Sequence, residues 1–225
     1  MTAPKKKILV VGPAWVGDMV MAQSLFKTLH EEHPGARIDV LAPGWSLPLL
    51  QRMPEVRKGF EVPAGHGQLA FKARLGLGRT LRTQQYAQAV VLPRSWKSAL
   101  IPFGAKVPVR TGFAGEFRYF LLNDIRTLDS NVLRTTVERF TALGCPKHAA
   151  MPPRITYPRL TVDRNQGLAL LRKWGIDIKQ PIAGFMPGAE YGPAKQWPPA
   201  HFAELARSLS DEGWQVCIFG SHKDA

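Results

Sequence analysis

Residues 5–29, KKKILVVGPAWVGDMVMAQSLFKTL, decide the fold. Ile8, Leu9, Val10 and Val11 form an unbroken apolar run, which suits a strand buried on both faces of a parallel sheet. Gly12 and Pro13 end that strand. Gly17 and Asp18 stand where a helix should begin, and Met19, Val20, Ala22, Leu25, Phe26 and Leu29 follow at helical spacing. Strand, tight turn and helix start make the opening unit of a doubly wound α/β sheet. Such sheets bind ligands at the carboxyl ends of their strands. Asp18 therefore falls on a ligand-binding edge. Spacing leaves two readings of it open: a helix cap that accepts orphan backbone N–H groups, or a general base. The turn Gly-Pro-Ala-Trp-Val-Gly-Asp lacks GxGxxG, which disfavours a dinucleotide. A carboxylate there would also repel phosphate, so the turn is expected to face an uncharged hydroxyl.

The pattern continues outward from this unit. Strands are expected at Arg37–Leu41, Phe60–Pro63, Ala89–Leu92 and Val107–Thr111, and helices at Leu47–Met53, Leu69–Gln85 and Asn131–Leu143. Ala64-Gly65-His66-Gly67 is a loop, and Gly112–Asn123 is a second loop rich in Phe, Tyr and Arg. The turn Arg94-Ser95-Trp96-Lys97-Ser98 follows a buried strand, on the same sheet edge as Asp18. Pro152, Pro153 and Pro158 mark a break. Residues 1–152 read as one complete domain, 153–162 as a linker and 163–225 as the start of a second α/β domain. That second part has a helix at Asp163–Trp174, strands at Ile182–Met186 and Trp214–Phe219, and a helix from His201 to Leu209. Its strands, through Ile182, Phe185, Val216 and Ile218, are expected to need covering elements that these residues do not supply.

Composition narrows the function classes. Hydrophobic residues make up 45% of 225, enough for a real core. No apolar run reaches the roughly 18–20 residues of a membrane span, and the short run after Lys5–Lys7 is a strand, not a signal peptide. A cytoplasmic chain is expected. Cys145 and Cys217 match no metal spacing and read as free thiols. Lys and Arg number 30 against 17 Asp and Glu. The bias concentrates between Phe71 and Phe120, where nine bases meet one acid, Glu116. An acidic partner follows: nucleic acid, anionic membrane or a phosphorylated substrate.

Six stretches then carry a resemblance. They are GPAWVGDMVMAQSL (Gly12–Leu25), MPEV (Met53–Val56), LPRSWKSALIPF (Leu92–Phe103), RTGFAGEFRYFLLND (Arg110–Asp124), PGAEYGPAKQWP (Pro187–Pro198) and FGSHKD (Phe219–Asp224). In these the chain resembles the bacterial lipopolysaccharide heptosyltransferase family. WVGDM and PGAEYGPAK lean toward the branch that acts on an already heptosylated acceptor. The resemblance implies two Rossmann-like domains of the glycosyltransferase B type, the second incomplete here. It implies inverting transfer of L-glycero-D-manno-heptose from ADP-heptose to the first heptose of heptosyl-Kdo-lipid A. By family position Asp18 is the catalytic base. Lys195 meets the donor diphosphate, helped by backbone N–H groups of Gly188, Ala189 and Glu190. Arg94, Ser95, Lys97, Arg110 and Arg118 are the acceptor-binding candidates. No metal or other cofactor is implied. The implied setting is peripheral, at the cytoplasmic face of the anionic inner membrane, without nucleic acid. The alternatives are a related heptosyltransferase with a different acceptor, and a shortened, non-catalytic binder of anionic glycolipid.

Overall fold

The computed structural model describes residues 5–63, 69–189 and 193–221. The chain forms two compact units, Met1–Thr161 and Val162–Ala225.

Among the described residues, the first unit is built on six strands: β1 Lys7–Val11, β2 Arg37–Ala42, β3 Val56–Glu61, β4 Gln88–Val91, β5 Val109–Phe113 and β6 Asp124–Arg126. They are ordered β3-β2-β1-β4-β5-β6 and all neighbours run parallel. The order reverses between β1 and β4, which is the crevice where doubly wound sheets take ligands. Among the described residues, four α-helices join the strands, α1 Val16–Glu32, α2 Leu47–Leu50, α3 Phe71–Leu81 and α4 Leu100–Gly104, and α5 Thr136–Ala142 follows β6.

Alternation along β1 explains why its whole run is apolar. Ile8 and Val10 enter one core, with Leu25, Phe26 and Leu29 of α1. Leu9 and Val11 enter the other, with Leu81, Ile101 and Val107. Gly12 is needed for a close approach: a Cβ there would lie 2.5 Å from Met19 Cε and 3.1 Å from the Leu41 carbonyl oxygen. At the amino edge the fully buried Asp39 carboxylate accepts from the Tyr86 hydroxyl at 2.5 Å and from the Arg57 guanidinium. Buried charge is tolerated there because it is paired and bonded.

Several expectations shift. The first helix begins at Val16, with Trp15 at the N-cap position and no side-chain cap bond, so Asp18 lies inside its first turn and is not the cap. The third strand starts at Val56 and ends at Glu61. The fifth strand runs two residues later than expected, to Phe113, and Asp124–Arg126 adds a short sixth strand. The helix expected from Asn131 begins only at Thr136, where Thr135 and Glu138 form a reciprocal capping box. The supposed linker is fastened to the first unit. Buried Gln23 accepts from the Arg159 N–H at 2.8 Å and donates to its carbonyl at 3.0 Å. Thr161 N–H donates to Arg52 at 2.8 Å, and Leu160 packs on the core.

The second unit has α6 Arg164–Lys173, α7 Pro199–Asp211 and two parallel strands, β7 Ile182–Phe185 and β8 Gln215–Ile218. Its apolar centre is aromatic: Phe202 lies 5.5 Å from Phe185 and 4.8 Å from Trp197 between ring centroids. Phe185 is buried, contrary to expectation, because Phe202 covers it. Ile182 and Ile218 stay exposed.

Candidate functional site

Three turns meet at the reversal point and line a cleft of about 560 Å³. Residues 11–15 and Asp18 follow β1, Pro43 and Trp45 follow β2, and residues 92–95 with Lys97 and Ser98 follow β4. The Trp45 indole donates to the Ala14 carbonyl at 3.1 Å, joining two of these turns. Phe113, Leu128 and Phe140 make an apolar wall.

Asp18 is half-buried and takes no hydrogen bond or ion pair among the described residues. Burial raises its pKa above the ordinary carboxylate value. Its place in the first turn of α1 gives the anion some support from the helix N-terminus. An unpartnered, half-buried carboxylate in a cleft is equipped to accept a proton from a ligand hydroxyl.

Arg94, Ser95 and Lys97 share the cleft with Asp18. Arg110 and Arg118 do not. Arg110 sits near the amino end of β5, where it donates to Leu121 and Val107 carbonyls at 2.6 Å and lines a separate hollow beside Phe103. The sheet's direction puts it on the wrong edge. Arg118 is only 1% exposed. Its guanidinium donates to the carbonyls of Pro93 at 2.5 Å and Phe113 at 2.6 Å, and reaches Ser98 Oγ at 3.3 Å. It is a brace between the β4 turn and the end of β5. Burial, with Arg94's charge nearby, pushes its pKa down to about 10.

Two cationic cleft residues escaped the sequence reading. Arg74, in the first turn of α3, is 7% exposed and uses Nε to bind the Leu69 carbonyl at 2.9 Å. Burial lowers its pKa. Arg139 of α5 lines the cleft as well. Both stand near the starts of helices that follow strands, so a search of every such helix start would have found them.

In the second unit, Gly188 and Ala189 follow the carboxyl end of β7, and Lys195 ends a short 3-10 turn, Pro193–Lys195. Lys195 is exposed. Glu190 lies outside the described residues. Among the described residues, no helix is long and apolar enough to cross a membrane.

The profile described as Glycosyltransferase family 9 (heptosyltransferase) matches residues 74–225. Lipopolysaccharide heptosyltransferase 2 of Escherichia coli strain K12 is 49% identical over 223 residues, covering 97% of this chain and 64% of that protein. Lipooligosaccharide heptosyltransferase 2 of Haemophilus influenzae is 47% identical over 226 residues, again 64% of its length. The chain thus spans just under two thirds of these relatives. The solved E. coli ADP-heptose LPS heptosyltransferase II superposes with a TM-score of 0.89 at 47% identity, over 97% of this chain and 65% of that one. E. coli heptosyltransferase WaaC with ADP-2-deoxy-2-fluoro heptose shares the fold, with a TM-score of 0.71 at 16% identity over 97% of this chain and 70% of that one.

Proposed function

The chain belongs to glycosyltransferase family 9, the heptosyltransferases, and from that premise we propose that it transfers heptose from ADP-heptose to the first heptose of a lipopolysaccharide inner core. The observation that carries this is the unpartnered Asp18 carboxylate in a cleft shared with Arg94, Ser95 and Lys97. The 49% identity to a lipopolysaccharide heptosyltransferase 2 supports the acceptor.

In this reading Asp18 takes the proton from the acceptor hydroxyl as its oxygen attacks the anomeric carbon. The bond from that carbon to the diphosphate oxygen breaks, the configuration inverts, and ADP departs. Lys195 offsets the charge that gathers on the diphosphate, with the backbone N–H groups of Gly188 and Ala189 as further donors. This reading has two Rossmann-like domains of the glycosyltransferase B type, with the donor on the second, and needs no resident metal. Arg74 and Arg139 join Arg94 and Lys97 as cations for the acceptor's phosphates and acidic sugars. The acceptor is a lipid, so the chain works against the anionic inner membrane at its cytoplasmic face.

The test is ADP release from ADP-heptose with heptosylated and unheptosylated Kdo-lipid A, with and without chelator. Release only with the heptosylated acceptor, unaffected by chelator, is expected. Equal release with both acceptors points instead to a related enzyme of different acceptor. Acceptor binding with no release points to a glycolipid binder.

A further inference from the structure

The loop after β5 carries rings that neither the cleft nor the core uses. Phe117 and Phe120 are 95% and 90% exposed, and Tyr119 is 61% exposed. Exposed Trp96 stands beside Phe117 and Leu121. A cluster of large rings in water marks an interaction surface. The loop is nonetheless held firmly. Arg118, between the rings in sequence, is buried and bonded to Pro93 and Phe113. Its guanidinium points inward while its neighbours point out. Phe117 has a φ of 38°, a conformation bulky residues rarely adopt. Two bases lie nearby: Arg94 is exposed and Lys97 half-buried on the turn the loop packs against. Glu116, the loop's acid, accepts the Trp96 N–H at 3.0 Å.

We propose that residues 117–120 are a membrane-docking loop, with the rings of Phe117, Tyr119 and Phe120 entering the interface of an anionic bilayer that the basic turn beside them attracts. Aromatic rings settle at the headgroup level, and anionic lipid attracts nearby bases. A small apolar anchor and a basic patch hold together where neither suffices alone. Charge favours a bilayer over a second copy of the chain, since two copies of net charge +13 would bring like charges together. The inference rests on the reading that the acceptor is a membrane lipid. It adds the point of contact: the loop leaves β5 at the carboxyl edge, against the turn that carries Arg94 and Ser95 into the cleft.

Co-sedimentation with vesicles tests this. One set contains phosphatidylglycerol and phosphatidylethanolamine, the other phosphatidylcholine alone. The proteins are the parent chain, F117S/F120S and F117W/F120W. The parent should bind the anionic vesicles and bind the neutral ones weakly. The serine variant should bind the anionic vesicles about tenfold or more weakly, given the apolar area of two rings. The tryptophan variant should bind like the parent, and both variants should melt like it. A parent that sediments with neither vesicle overturns the membrane contact and the loop's role together. A parent that binds while F117S/F120S binds equally overturns the loop alone. A parent that is dimeric without vesicles, and monomeric as F117S/F120S, overturns the proposal in favour of a second copy.

Discussion

Asp18 and Arg118 show what one residue's surroundings decide. Asp18 has no cap bond to lose, and burial raises its pKa above the unfolded value of 3.8. The folded chain therefore holds that proton more tightly than the unfolded chain. The associated stability is fullest below the unfolded pKa and is lost as pH rises through the folded one. At neutral pH the ionised carboxylate does not stabilise the fold, so Asp18→Asn should leave the melting temperature unchanged or slightly higher. Turnover should fall by at least about a hundredfold, since the proton acceptor is gone. The parent's rate should rise with pH through a pKa above 3.8, and the variant should lack that limb. A variant with parental turnover would take Asp18 out of the chemistry. Arg118 forecasts the reverse pattern. Its fork reaches carbonyls on two segments, which a lysine's single ammonium cannot serve together. Arg118→Lys should lose about 1–3 kcal/mol per carbonyl left unpaired, read from urea unfolding. A direct acceptor contact would instead raise KM and leave stability alone.

At the scale of elements, the buried strands were plain in the sequence because burial on both faces leaves an unbroken apolar run, as in Ile8–Val11 and Ala89–Leu92. The turns after β1 and β4 could be placed on one edge for the same reason. What stayed hidden has physical causes. β6 is three residues, Asp-Ile-Arg, too short to show alternation. The start of α5 is set by side-chain bonds rather than apolar spacing: Thr135 Oγ accepts the Glu138 N–H, and the Glu138 carboxylate accepts the Thr135 N–H at 2.7 Å. Arg118 looked like a surface base because sequence shows charge and not direction, and only its carbonyl partners reveal that it points inward. Arg74 was hidden by the basic run around it. The capping box supports its own prediction: Thr135→Ala should cost about 1 kcal/mol in urea unfolding, and Thr135→Ser should restore most of it. No loss in the alanine variant would mean that packing alone sets the helix start.

For the whole molecule, the open question is where the first unit ends. Proline content points to Pro152, whereas the contacts run on to Thr161. The segment between has no regular secondary structure, yet it is held at four points, the first being the Thr156 hydroxyl, which donates to the Glu31 carboxylate at 3.0 Å. Gln23 binds both backbone groups of Arg159. Leu160 lies against the core that contains Ile8 and Phe26. Thr161 donates to the Arg52 carbonyl through its N–H at 2.8 Å and its hydroxyl at 2.9 Å. A chain ending at Thr161 should therefore fold alone, since its six-stranded sheet and both cores lie within it. A chain ending at Pro152 should keep the same sheet but leave Gln23 without the Arg159 backbone. Five hydrogen bonds and one partly buried leucine are lost with the segment. The longer form should be the more stable of the two. Urea midpoints of the two truncations measure it. If they coincide, the segment is a tether and the boundary belongs at Pro152. If the longer form is the more stable, and Gln23→Ala lowers it to the level of the shorter, the strap is part of the first unit and α1 is what it holds.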